Sequence, residues 1–175
     1  LNIVGTNIDT IGQAATVRFN DCGTFPQLQL KTNEGTFELE LEGCNYTTPG
    51  ELANSGTISL SSDNTSDDVE EGLIVSKSLS NSGKLTVGRS TFVLVNDELF
   101  TFEGSNIIVR GSITAGDLLA SGGVFSGYGT INSQRFDNHG RLLPGASPGT
   151  LTINADYTQF SDGTLEIEIG GDEAG

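Results

Sequence analysis

The chain has 175 residues, of which 35% are hydrophobic and 7% aromatic, and it carries 23 acidic against 8 basic residues. The formal charge of −15 argues against nucleic-acid binding, which needs a basic surface, and disfavours attraction to an anionic membrane. Its 24 glycines, with abundant Ser, Thr, Asn and Asp, predict many turns, and the length fits one domain over residues 1–175.

No methionine occurs in the sequence, so we expect a processed protein or a piece of a longer chain. Residues 170–175 directly follow a predicted strand, which we take to indicate that the natural chain continues. Neither a signal peptide nor a membrane span is visible in the sequence.

The first feature along the chain is a pair of cysteines, Cys22 and Cys44, separated by 22 residues. This separation is close to the interval between the glycine-terminated turns of the chain, so the two residues are expected to lie one above the other. A disulfide in an oxidising compartment and a pair of small buried thiols are both compatible with this spacing. We favour the disulfide, because each cysteine follows a turn-like segment.

Two segments alternate strictly between apolar residues and glutamates. Residues 36–42 place Phe, Leu and Leu on one side and three glutamates on the other. Residues 164–169 repeat the pattern, with Leu165, Ile167 and Ile169 on the apolar side. Both segments are predicted to be half-buried strands with their carboxylates outward.

A repeated pattern runs through the chain: an apolar residue, a turn ending in glycine, and a strand-like run. It occurs at residues 52–58, 79–85, 109–113 and 136–142. Together with the glycines that precede the two alternating strands, the markers are 21, 27, 28, 29 and 23 residues apart: Gly35, Gly56, Gly83, Gly111, Gly140 and Gly163. Such spacing predicts an all-β parallel β-helix, or β-solenoid, of about six or seven coils.

Further strands are predicted at residues 72–76, 91–95, 99–102, 106–109 and 150–153, and no segment has a convincing helical period. A β-sandwich or jelly roll is the alternative, but hairpin signals are scarce and the glycines recur at coil length. Asn54, Asn81 and Asn138 are interpreted as corner residues that can hydrogen-bond along the rod, in preference to a ligand-binding ladder.

The acidic segment 61–71, which includes Asp63, Asp67 and Glu71, is the best candidate for calcium binding. It lacks the residue spacing of a known calcium loop. We therefore interpret it as a solvated loop that protrudes from one coil.

The C-terminal part of the chain carries a more specific pattern. Its segments are residues 127–132, 136–140, 143–153, 157–160 and 163–169, and the central one reads Leu-Pro-Gly-Ala-Ser-Pro-Gly-Thr-Leu-Thr-Ile. This pattern, over about the last 45 residues, resembles the autotransporter-type β-strand repeat of large bacterial surface and secreted proteins. The preceding 125 or so residues share only its coarse rhythm, and the cysteines lie outside it.

The resemblance implies a right-handed parallel β-helix in a stalk or adhesive passenger, and it supplies no catalytic residues because the repeat is structural. The residues themselves predict a tight corner in the same region. Pro144 and Pro148 restrict the backbone there, while Gly145 and Gly149 allow it to fold back.

The single histidine, His139, is predicted to be an exposed corner residue. A Ser-His-Asp arrangement with Ser133 or Ser147 is formally available, but the sequence around these serines is not that of a nucleophile elbow. One histidine and two distant cysteines make no zinc site, and the lysines and arginines are too scattered to hold a polyanionic sugar. We expect no enzymatic activity, no catalytic or metal-binding residues and no cofactor.

Two functional hypotheses follow. The first is a non-enzymatic structural or adhesive segment of a bacterial cell-surface or secreted protein, in which a β-helical stalk presents loops to glycan or protein partners. The second is a carbohydrate-binding or polysaccharide-processing β-helix domain, although exposed platforms for sugar stacking are scarce because tryptophan is absent and tyrosines number three. Under the first hypothesis the location is extracellular, and open sheet edges would permit end-to-end self-association.

Overall fold

The structure is a computed structural model that describes residues 8–19, 29–63, 71–145 and 149–168. Within these ranges the chain forms 18 strands and no helix. The strands are β1 (Thr10–Ile11), β2 (Thr16–Phe19), β3 (Thr32–Asn33), β4 (Thr36–Leu41), β5 (Asn45–Thr48), β6 (Leu52–Asn54), β7 (Thr57–Ser62), β8 (Glu71–Val75), β9 (Leu79–Asn81), β10 (Lys84–Val87), β11 (Thr91–Thr101), β12 (Asn106–Val109), β13 (Ser112–Ala120), β14 (Val124–Gly127), β15 (Thr130–Asn138), β16 (Arg141–Pro144), β17 (Thr152–Gln159) and β18 (Thr164–Leu165).

The strands form two long sheets. Sheet 1 has ten strands and follows the path β1-β3-β6-β9-β11-β13-β15-β17, with β5 and β8 joined to it at the side. Sheet 2 has eight strands in the order β2-β4-β7-β10-β12-β14-β16-β18. The pairs between the described strands are all parallel. This pairing rules out an antiparallel sandwich, and the fold is a parallel β-solenoid of about seven turns, as predicted.

Sheet 1 bends into two limbs. In the earlier coils the limbs are separate strands, such as β8 and β9. In later coils one strand covers both limbs: residues 91–95 of β11 pair with β8, and residues 99–101 pair with β9. The predicted strands at 72–76, 91–95, 99–102 and 106–109 are thus confirmed, whereas the one predicted at 150–153 begins at Thr152.

The core lies inside the coils and is built from the inward side chains of most of the described strands. In β4 the three apolar residues Phe37, Leu39 and Leu41 are at most 3% exposed, which confirms the predicted alternation. The ring of Phe37 packs edge-on against Phe19 and Tyr46, with ring centroids 6.0 and 5.6 Å away. Burying each such side chain contributes about 2 kcal/mol, so stability rises with every coil that covers its neighbour.

The last predicted strand differs from its prediction. Leu165 is 44% exposed and Ile167 is 66% exposed, and β18 ends at Leu165. The cause is its position, because β18 is the terminal strand of sheet 2 among the described strands and has only β16 as a neighbour. Ile169 lies outside the described residues.

The marker glycines occupy two different corners of the coil. A Cβ atom on Gly83 would lie 2.1 Å from the carbonyl oxygen of Gly56, and one on Gly56 would lie 2.1 Å from that of Gly35. Gly111 instead stacks with Gly88 and Gly129 at a second corner. The predicted single series was therefore wrong at Gly111, because both corners need a glycine where the backbones of adjacent coils approach.

Cys44 is disulfide-bonded, in agreement with the favoured prediction for the cysteine pair. The other cysteine of the sequence, Cys22, lies outside the described residues. The Pro-Gly corner behaves as predicted where it is described: Gly145 has a φ of +98°, and a Cβ atom on it would lie 2.8 Å from the carbonyl oxygen of Gly149. Pro148 and Ser147 lie outside the described residues.

Candidate functional site

A ladder of asparagines runs along the inside of the first corner, between sheet 1 and sheet 2. The Nδ2 group of Asn33 donates to Oδ1 of Asn54 at 2.7 Å, and Nδ2 of Asn54 donates to Oδ1 of Asn81 at 2.6 Å. All three side chains are buried. Each of the three Nδ2 groups also donates to a backbone carbonyl oxygen, that of Thr57, Lys84 and Gly83, respectively. The ladder is a structural element inside the coils, and a ligand has no access to it.

The same column continues through the later coils with other side chains. Thr101 and Ala120 occupy it above Asn81, and Asn138 and Gln159 complete it. Successive residues of the column from Asn33 onward are 21, 27, 20, 19, 18 and 21 residues apart. These intervals are the true coil lengths, and most are shorter than the spacing of the marker glycines.

The turn that follows this column varies in length, and the variation forms a recess. Residues 102–105 and 160–163 are four-residue turns, closed by hydrogen bonds of 3.1 Å from Ser105 N to Phe102 O and from Gly163 N to Phe160 O. Between them the chain turns with three residues at 121–123 and two at 139–140. Coils stack about 4.8 Å apart, so the two longer turns bracket a recess roughly 14 Å long.

We name this recess the corner groove. Its volume is about 500 Å³, and it is widely open to solvent. Glycines form most of its floor, because the stacking of the coils leaves no room for a Cβ atom at Gly122, Gly123 or Gly140. The side chains that define it are Glu103, Asn106, Ser121, His139, Arg141 and Asp162.

His139 is the most constrained side chain of the corner groove. Its Nδ1 atom lies 2.8 Å from Oδ1 of Asp162, and its ring stacks on Phe160 with centroids 4.0 Å apart and planes 16° apart. The side chain is 28% exposed, so the predicted freely exposed histidine is in fact half-buried. Since a carboxylate accepts only, Nδ1 carries the proton and Nε2 is the acceptor in the neutral ring.

The hydrogen bond with His139 also lowers the pKa of the Asp162 carboxyl below its ordinary value. Asp162 is therefore a carboxylate at neutral pH. The Ser133 hydroxyl, one of the two serines considered with this histidine, donates to the Arg135 carbonyl oxygen at 3.1 Å. No hydrogen bond joins Ser133 to His139 in the described structure.

Two further groups set the charge of the corner groove. The Arg141 guanidinium lies 2.7 Å from the Glu166 carboxylate, so its charge is balanced within the protein. Glu103 and Asn106 are exposed at the rim. The groove thus combines one stacked ring with carboxylates, an amide and a paired guanidinium.

The predicted calcium segment is only partly described, since residues 64–70 lie outside the described ranges. Glu71 begins β8 and is 1% exposed, and its Oε1 accepts a hydrogen bond from the backbone N–H of Gly43. Glu71 is thus a strand residue and does not belong to a solvated loop. In the described ranges, no three His, Cys, Asp or Glu side chains are arranged to hold a metal ion.

A second groove, of about 520 Å³, lies on sheet 1 near the residue 49–51 connection. Lys31 and Lys77 line it together with Glu51. The lysines are scattered along the sequence, but the stacking of the coils places Lys31 and Lys77 on the same groove. Since Lys31 and Lys77 are 46 positions apart, only knowledge of the coil lengths would have paired them.

Sequence reasoning also missed the two exposed aromatic residues of the turn column, Phe102 and Phe160, which are 43% and 37% exposed. Each phenylalanine directly follows a residue of the asparagine column, Thr101 or Gln159. This position was the signal that the sequence offered. The partners of His139 are Phe160 and Asp162, which follow it in the sequence by about one coil length. Their spacing from His139 was therefore a further signal.

In the described ranges there is no helix long and apolar enough to cross a membrane. Comparison of the chain with models of protein families, with curated proteins and with solved structures found no match.

Proposed function

We propose that this chain is a non-enzymatic rod segment of a bacterial cell-surface or secreted protein, in which a β-helical stalk presents corner turns to partners. The observation that carries the proposal is the continuous parallel ladder through about seven turns, reinforced inside by the Asn33–Asn54–Asn81 hydrogen bonds. In a stack of this kind each coil contacts its neighbours through paired strands, which favours a continuous rod.

The outer surface supports the same proposal. Ion pairs and amide pairs connect successive coils at 2.7–2.9 Å, as in Arg141–Glu166, Arg135–Asp117 and Asn154–Asn132. Surface pairs of this kind contribute less than about 1 kcal/mol each, and they keep the sides of the rod polar and soluble. The autotransporter-type resemblance at residues 127–169 favours a bacterial surface location over other uses of the fold.

The ends of the stack favour contact with a second copy. Among the described strands, β17 and β18 each pair on one side only, and Leu165 and Ile167 are exposed beside them. Unpaired strand edges bind other strands readily. Sedimentation velocity over a range of concentrations tests this part, and a monomer at all concentrations contradicts it.

The main test is localisation together with a search for turnover. Antibodies against the chain should label intact cells of the source organism, and mild external protease should remove the label. The purified chain should release no product from acidic polysaccharides. Labelling that requires permeabilised cells contradicts the surface location, and specific polysaccharide cleavage contradicts the non-enzymatic role.

A further inference from the structure

The corner groove contains an aromatic face that is fixed before any ligand arrives. Phe160 covers one face of the His139 ring, and Asp162 holds its Nδ1 atom. Along the column, the residue on the other side of His139 is Ser121, whose N–H donates to the Thr101 carbonyl oxygen at 3.0 Å. Because Phe160, His139 and Ser121 lie in successive coils, the face of the imidazole opposite Phe160 lies towards Ser121. A ring held in this way loses little conformational entropy when it binds a ligand.

The polar groups around this face suit a ligand rich in hydroxyl groups. Glu103 and Asp162 provide carboxylate acceptors, and Asn106 provides both an amide donor and an acceptor. A hydroxyl group donates and accepts, so it can satisfy both kinds of partner at once. The glycine floor allows a flat ring to approach the backbone closely.

The charge of the site selects among such ligands. The chain has a formal charge of −15, and the groove is lined by the carboxylates of Glu103 and Asp162 and by the guanidinium of Arg141, which is paired with Glu166. An anionic sugar would be repelled by this field, whereas a neutral sugar would not.

We infer that the corner groove binds a neutral carbohydrate. One sugar ring stacks on the free face of His139, and its hydroxyl groups hydrogen-bond to Glu103, Asn106 and Asp162. The inference goes beyond the stalk role and does not depend on it, because the groove belongs to the folded chain itself.

The chain provides its own reporter for the test, since His139 is the only histidine. Its imidazole C–H signals in a proton NMR spectrum need no assignment. The full chain is titrated with maltotetraose, cellotetraose and mannotetraose, and in parallel with oligogalacturonate as the anionic comparison. At least one neutral oligosaccharide should shift the His139 signals in a saturable manner, and oligogalacturonate should not.

Three variants locate the binding, which is measured by calorimetry. His139→Ala removes the stacking face and should weaken binding at least about tenfold, the loss typical of a key contact residue. Ser121→Tyr fills the groove from an exposed position and should abolish binding. The matched control is Ser55→Tyr, in the same exposed turn column but outside the groove, and it should bind like the parent chain.

Circular dichroism and thermal melting establish that each variant is folded. The inference is overturned if no neutral oligosaccharide binds the parent chain at about 10 mM, or if only the anionic one binds. It is also overturned if binding survives both His139→Ala and Ser121→Tyr, or if a sugar binds without moving the His139 signals. The last result would place the ligand elsewhere, for example in the groove beside Lys31 and Lys77. None of these outcomes bears on surface localisation, so the two proposals fail separately.

Discussion

Asn54 and Asn81 are 27 residues apart in the chain, yet their side-chain amides are joined by a buried hydrogen bond of 2.6 Å. Each amide also bonds to a backbone carbonyl oxygen at the corner, at 3.1 Å in both cases. The two residues therefore fix both the spacing of their coils and the direction in which the chain turns. A hydrophobic side chain in place of either asparagine would remove these buried hydrogen bonds.

Replacing Asn54 by Ala should destabilise the protein by about 2–4 kcal/mol, because it removes the buried hydrogen bonds to Asn33, Asn81 and the Lys84 carbonyl oxygen. Urea unfolding at neutral pH measures the change. The matched control is Asn154→Ala on the rod surface, where an amide pair of 2.8 Å is exposed and the expected cost is below about 0.5 kcal/mol. Equal losses for the two variants would show that burial of the ladder contributes nothing.

Gly83→Ala should cost about 3 kcal/mol or more, because the added Cβ atom would lie 2.1 Å from the Gly56 carbonyl oxygen and would force two coils apart. Gly50→Ala is the control, since a Cβ atom there has no neighbour within 4 Å. That variant should be unchanged or up to about 1 kcal/mol more stable, through the reduced freedom of the unfolded chain. Thermal melts of the two variants side by side decide the matter, and a neutral Gly83→Ala would refute the close-stacking explanation.

Comparison of these glycines with the sequence shows what a single chain can reveal. The repeated Asn-x-Gly pattern predicted the stacked coils correctly. At each such corner Asn hydrogen-bonds to an adjacent coil, and Gly allows the backbones to approach closely. The coil length was overestimated, since Thr101 and Ala120 replace asparagine in two coils and remove the marker there. The predicted glycine series therefore included Gly111, which lies at a different corner where adjacent backbones also approach closely.

The candidate site was harder to predict from the sequence than the fold. His139 was visible as the single histidine, but its environment depends on residues one coil later, Phe160 and Asp162. Coil lengths in this protein range from 18 to 27 residues, so no fixed offset identifies such neighbours. Contacts between coils are decided by register, and register becomes known only when the whole stack is assembled.

Burial raises the pKa of the Tyr46 phenol well above its ordinary value of about 10. The folded state therefore holds this proton more tightly than the unfolded state. The stability contributed in this way is fully present below about pH 10 and is lost as the pH rises towards the folded-state pKa.

Chemical unfolding at pH 7 and at pH 11 tests the role of Tyr46. The parent chain should lose more stability between these values than Tyr46→Phe, which has no proton to release. The comparison at pH 7 serves as the control for any packing change caused by the substitution. An identical loss in both proteins would show that Tyr46 does not govern alkaline stability.

Reduction of the Cys44 disulfide should lower the free energy of unfolding by about 3 kcal/mol, the value expected for closing a loop of roughly 20 residues. Thermal melts with and without reductant measure the effect. Cys44→Ser should match the reduced parent chain and should not respond to reductant. Two titratable thiols in the unreduced protein would contradict the assignment.

The coil between Asn54 and Asn81 is longer than any other in the column, yet the hydrogen bond that closes it, at 2.6 Å, matches the one in the preceding coil. Extra residues in this coil fall between β7 and β8 and do not disturb the register of either sheet. The framework of the rod therefore accommodates coils of different length without a change in the pairing of its sheets.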